Sequence, residues 1–213
     1  MAFSCQKTPK IPQAKVLMLQ GSVTVVRKKL SAPCTKGLLL LSGDRVVTAA
    51  GSAAVLELGG DFAVVELQEN AELLITDYAG EHKIINVPKG NIWAKVSKLQ
   101  PQHHAELITP LTVAGIRGTK FHTFTMGEYF GTCFCDGAVE YSVSSSGHEG
   151  YHNTDNLVVT RGNKTISFNP AVLEKETGIN HDHSVIAGSP LGNQDASGHA
   201  AKIMAFLDRR FAE

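Results

Sequence analysis

Cys133-Phe134-Cys135 is the pattern in this sequence best suited to metal chemistry. On a strand, residues i and i+2 present their side chains to the same face, so two thiolates would reach one ion. A disulfide between such close neighbours would be strained. Downstream, His148 and His152 share one segment, and His181-Asp182-His183 repeats the i, i+2 spacing. Two thiolates and two imidazoles suit tetrahedral zinc, with iron as the second choice. The expected ligands are Cys133, Cys135, His148 and His181, with His152 and His183 as alternates. The Asp182 carboxylate could orient a ligating imidazole. The plain alternative is a pair of thiols and a histidine-bearing loop with no metal. The spacing matches no zinc finger or ribbon, and no Cys-x-x-Cys-His run offers covalent haem attachment.

Other chemistry is thin. There is no Gly-x-Ser-x-Gly elbow and no His-Glu-x-x-His. Gly115 to Lys120 is superficially similar to a phosphate loop, but the spacing is wrong and a strand follows instead of a helix. The expectation is a protein that is not an enzyme. His103-His104 reads as exposed loop. Ala2-Phe3-Ser4-Cys5 resembles the end of a lipoprotein signal, which makes Cys5 a candidate for lipidation. The apolar run that should precede it is absent, and the alternative is an ordinary thiol, with a Cys5–Cys34 bridge open.

Composition narrows the classes. The chain has 213 residues, 43% of them apolar, which is enough for a real core. Twenty Lys+Arg balance twenty Asp+Glu, so no global field draws in nucleic acid or an anionic membrane. No apolar run reaches the ~18 residues that span a bilayer. Membrane contact is expected only through a lipid on Cys5.

The elements that must position these residues are short and β-like. Lys15 to Leu19 and Ser22 to Val26 are separated by Gly21, and Ser42-Gly43-Asp44 and Gly59-Gly60-Asp61 read as turns. β-branched and aliphatic runs recur roughly every ten residues, the rhythm of an all-β fold. Phe121 to Phe124 alternate as a strand, and Tyr129 to Cys135 with Ala138 to Val143 continue as a strand pair or one bent strand. Residues 157–160 and 165–168 are strand-like, and 170–193 reads as an irregular surface excursion. Ser197 to Phe211 looks helical: Ile203, Phe206, Leu207 and Arg210 share a face, and Ser197 is a candidate N-cap. The helix is expected to pack on the β-domain, the alternative being a docking helix for a partner.

In Thr109 to Phe121, Pro110 favours an extended residue before it, and Gly115 and Gly118 bracket Ile116-Arg117 at an expected bend or bulge. Arg117 is the one charge among apolar neighbours. Its expected role is to satisfy loop carbonyls or a carboxylate, with display to a ligand as the alternative.

That block, together with five others, resembles the FecR-like domain family over Val16–Val143. The others are Gly21 to Val25, Leu41 to Thr48, Gly51 to Leu56, Gly90 to Val96 and Asp136 to Glu140. The resemblance implies an all-β fold of twisted, stacked antiparallel sheets outside the cytoplasm, in the periplasm, envelope or cell surface. Here it would carry an irregular C-terminal extension and one terminal α-helix. In the best-known members such domains relay a receptor signal to a sigma factor, using a cytoplasmic helical segment and a membrane span, neither of which is evident here. Family members usually look aliphatic at position 135, so the Cys135 thiol suggests a local addition. The expected organisation is a tether at 1–13, the FecR-like domain at 14–143, a histidine-bearing extension at 144–196 and the helix at 197–213. The leading functional expectation is a binding or interaction protein with protein partners or self-assembly. The alternatives are a zinc- or iron-binding protein and a signalling component related to sigma-factor regulators.

Overall fold

In a computed structural model, the chain is described at residues 11–143, 147–152, 156–179, 184–191 and 200–213. The first strands are β1 (Pro12–Gln20), β2 (Val23–Arg27), β3 (Leu30–Pro33), β4 (Leu39–Leu41), β5 (Arg45–Thr48) and β6 (Ala53–Leu58). Next come β7 (Ala63–Leu67), β8 (Glu72–Leu74), β9 (His82–Lys89), β10 (Ile92–Val96) and β11 (His104–Ile108). The last are β12 (Thr112–Met126), β13 (Tyr129–Val143), β14 (His148–His152), β15 (Asn156–Arg161) and β16 (Lys164–Phe168). Two helices follow, α1 (Pro170–Thr177) and α2 (Ala200–Ala212). The mostly-β reading holds. Among the described residues no helix is long and apolar enough to cross a membrane.

Among the described residues the strands form one hydrogen-bonded network of 16 strands, folded into two layers by the β12–β13 hairpin. The first part of β12 pairs with β11, from Ile108↔Val113 to Ala105↔Ile116. Its second part pairs with β10, from Lys95↔Lys120 to Ile92↔Thr123. β13 divides likewise: its start pairs with β15 and its end with β14. One layer therefore runs β3-β2-β5-β8-β9-β11 into the hairpin, and the other runs β4-β1-β6-β7-β10 into it. All pairs are antiparallel except β9 with β11, which is parallel. The hairpin changes layer at a bulge, where register shifts between Arg117 and Phe121. Gly118 takes φ +61° there, as the bulge requires. Gly115 is not part of it and pairs regularly with Glu106 and Glu140.

Alternation puts one set of side chains between the layers. Val46, Leu73, Ile85 and Leu107 meet Leu56, Val65, Ala94, Phe121, Phe134 and Val158 in the main core. A buried carboxylate locks the edge of this core. Asp44, 1% exposed, accepts from Arg27 Nε at 2.7 Å, Arg27 Nη2 at 2.6 Å and the Leu41 N–H at 2.7 Å. Asp44→Ala would strand the Leu41 N–H, and is expected to lower unfolding free energy by about 2 kcal/mol in chemical denaturation. An unchanged midpoint would refute that role.

The region after β16 departs from the expected surface excursion. Asn169 caps α1 by accepting from the Ala171 N–H at 2.8 Å, and Pro170 stands in the first turn where no N–H is needed. Gly178, left-handed at φ 70°, ends the helix. Residues 184–191 then lie against the sheet, with Ser184, Ile186, Ser189 and Leu191 buried. Helix α2 packs through Phe206 and Leu207, both 0% exposed, as the amphipathic pattern led us to expect.

Candidate functional site

The second layer has an outer face as well as a core face. Cross-strand pairing there aligns one transverse row: Met18, Val55, Glu66, Trp93, His122, Cys133, Leu157 and Phe168. Paired residues share a face, so these side chains emerge side by side. Unlike the inner core, the row mixes acid, aromatic, imidazole and thiol. The chain after β16 covers it. Ile186 packs with Ala53 and Val55, while Phe206 and Leu207 pack with Phe124, Cys133, Leu157 and Val159.

Glu66 is 0% exposed. Its carboxylate accepts from Ser184 Oγ at 2.8 Å and from the Val185 N–H at 2.6 Å. Burial pushes its pKa above the usual carboxylate value, and these hydrogen bonds pull the other way. Beside it, Trp93 donates from Nε1 to the Leu191 carbonyl at 3.2 Å, and Lys120 Nζ stands 4.8 Å from the indole centroid. His122 stacks on Phe124 with ring centroids 5.7 Å apart and meets Trp93 edge-on at 6.4 Å. Its Nε2 lies 3.4 Å from Gln68 Oε1. Complete burial pushes its pKa down to about 3, so the ring is neutral across the physiological range.

Gln68 and His122 also floor a cleft of about 740 Å³ at the end of the sandwich. The Thr109–Leu111 loop, Lys89 and Asn91 form part of its wall. Thr109 closes that loop by accepting from the Thr112 N–H at 3.0 Å, and the two threonine hydroxyls are 2.7 Å apart. Pro110 sits inside this turn, consistent with a structural role. Just beyond it, Leu111 and Val113 are 36% and 44% exposed.

Of the expected metal ligands, the structure brings the two cysteines together. Cys133 and Cys135 share the outer face with Sγ atoms 3.5 Å apart, Cys133 buried and Cys135 half-buried beneath α2. The backbones of His148 and His152 lie on β14 opposite Val143 and Val139, along the other part of β13. His181, His183 and Cys5 lie outside the described residues. Arg117 is placed by its backbone, opposite Ala138 at the bulge. Among the described residues no group of three or more His, Cys, Asp or Glu converges to hold a metal. Sequence reasoning overlooked Glu66, Trp93 and His122. A signal for the first was present: Glu66 interrupts the otherwise apolar run Phe62 to Leu67.

Residues 44–140 match the family described as FecR protein. They run from the Asp44 turn into β13 and stop before the covering segments. The fold is similar to two crystal structures, at 1.65 and 2.50 Å, of a protein from Parabacteroides distasonis described as a putative anti-sigma factor. Each is 14% identical, with a TM-score of 0.52 and 63% of this chain covered. The match covers 65% and 64% of those chains, so this chain spans less than two thirds of their length. At that identity the likeness is one of fold. No curated protein matches.

Proposed function

We propose that this chain, whose residues 44–140 match the FecR protein family, is a non-enzymatic protein-interaction module in sigma-regulator-type signalling. This reading moves the signalling alternative ahead of a general binding protein. The observation that carries it is the joint likeness of segment and fold: a FecR match, and a fold similar to that of the Parabacteroides protein described above. Its place of action in this reading is outside the cytoplasm, as the family resemblance implies.

The surface that would meet a partner is the Thr109–Val113 turn. Leu111 stands beside the cleft on a turn fixed by threonine hydrogen bonds, and Val113 is exposed at the start of β12 just after it. Such a rigid apolar projection suits an interface core. The test is transcript profiling after deletion of the gene. Transcripts sharing one promoter class should change several-fold. The full chain should restore them, and a Leu111→Glu, Val113→Glu chain of unchanged melting temperature should not. An unchanged profile on deletion would remove the signalling reading. Full restoration by the double variant would remove this surface.

A further inference from the structure

The outer face of the second layer is built to receive a chain segment. Its polar groups are buried at the centre, where an ordinary core would be apolar: Glu66 is 0%, His122 2% and Gln68 6% exposed. A carboxylate in such a place is costly unless donors reach it, and apolar residues of equal volume commonly serve stability as well or better. Here the donors come from 118 and 119 residues away in sequence, the Ser184 hydroxyl and the Val185 N–H. The indole of Trp93 reaches across 98 residues to hold the carbonyl of Leu191. Between these points Ile186 fills the space over Ala53 and Val55, and Leu191 is 1% exposed. Only Ser184 within 184–191 pairs with a strand at all, so main-chain contacts, the hydroxyls of Ser184 and Ser189 and two apolar anchors hold the segment down. The segment is turned, its Ser189 N–H donating to the Ile186 carbonyl at 3.1 Å with Gly188 at φ 75°, and the face reads it as a binding site reads a compact peptide: few polar groups fix direction, and apolar seats fix identity.

We propose that this face is a peptide-binding site, with the chain's own Ser184–Leu191 segment as its ligand in cis. The partner it fits is a protein segment presenting a hydroxyl residue, then two branched aliphatic residues, then an apolar residue five positions further on. Such a segment displaces the chain's own. The seat over Glu66 and Trp93 is buried beneath the chain's own segment, whereas Leu111 and Val113 are exposed, so peptide binding and the transcript experiment test different surfaces.

The probe is a labelled synthetic peptide, Ser-Val-Ile-Ala-Gly-Ser-Pro-Leu, titrated into the full chain. Binding is read by anisotropy and by the emission of Trp93, the only tryptophan. Val185→Pro removes one of the two backbone N–H groups that reach Glu66, those of Val185 and Ile186, and should loosen the segment from the face. The peptide should bind that variant about tenfold or more tightly than it binds the unaltered chain, whose tethered segment competes at high effective concentration. Adding Glu66→Ala should abolish the gain. If Val185→Pro fails to fold, Ser184→Ala is judged by the same criterion. Equal affinity for the unaltered and released chains would overturn the proposal, as would no binding to a folded variant. A concentration-dependent dimer exchanging this segment would assign the seat to a second copy and overturn the partner reading.

Discussion

Phe206→Ala should lower the unfolding free energy by about 3–5 kcal/mol, the range for removing a fully buried ring. Phe206 is 0% exposed and lies on the second-layer outer face with Phe124, Leu157, Val159 and Leu207, its ring 5.4 Å from that of Phe168. The cavity would open between helix and sheet, where α2 is held mainly by this contact and by Leu207. Polar links at its rim are the hydrogen bond from the Tyr129 hydroxyl to Asp208 and exposed ion pairs such as Arg209 to Glu176 at 3.5 Å, which contribute little in water. Denaturant unfolding at neutral pH measures the loss. A change under about 1 kcal/mol would show that the helix does not pack as described and that its apolar stripe serves something else.

Acid should weaken the fold well above the range where carboxylates titrate. An unfolded histidine binds its proton near pH 6.5, whereas burial holds His122 down to about 3. The unfolded chain therefore takes up that proton first. The contribution of His122 is intact above pH 6.5 and is lost progressively as pH falls from there towards 3, at up to about 1.4 kcal/mol per pH unit. Glu66 acts in the opposite sense: burial raises its folded pKa, so its share of stability grows as pH falls through that value. The two contributions offset one another where they overlap, and the comparison with His122→Gln isolates the histidine's share. From pH 7 through 6 to 5 the unfolding free energy of the unaltered protein should fall relative to that of His122→Gln. Parallel lines for the two proteins would show that His122 does not set the slope.

Much of the fold was legible because alternation and turn residues act over a few positions. Ser42-Gly43-Asp44 announces its turn, and Ile203, Phe206 and Leu207 announce the packed face of α2. The bulge before Phe121 was legible through Gly118, the residue whose backbone needs a positive φ. Helix α1 was missed although Asn169-Pro170 is a capping signal, because eight residues give too little periodicity to read. The outer-face row was illegible for a different reason. Glu66, Trp93, His122 and Cys133 become neighbours only through strand pairing across long separations, and no local pattern encodes that. The near-unbroken apolar run Ala53 to Leu58 did hint that the layer is covered on both sides. The thiol pair was the reverse case, since i, i+2 geometry on a strand is local and its shared face could be read directly.

The hairpin that belongs to both layers makes the molecule hard to divide. β12 and β13 are 15 residues each, and every cut through them takes a strand from both halves of the sandwich. The stretch matched to the family ends at residue 140, inside β13, and omits β1 to β4, β14 to β16 and the covering segments. Excised at those limits, it would expose the edges of β5 and β6 and uncover Trp93 and Cys133 together. The matched stretch is therefore shorter than what folds, and a fragment drawn to its limits would be a sticky sheet instead of a domain.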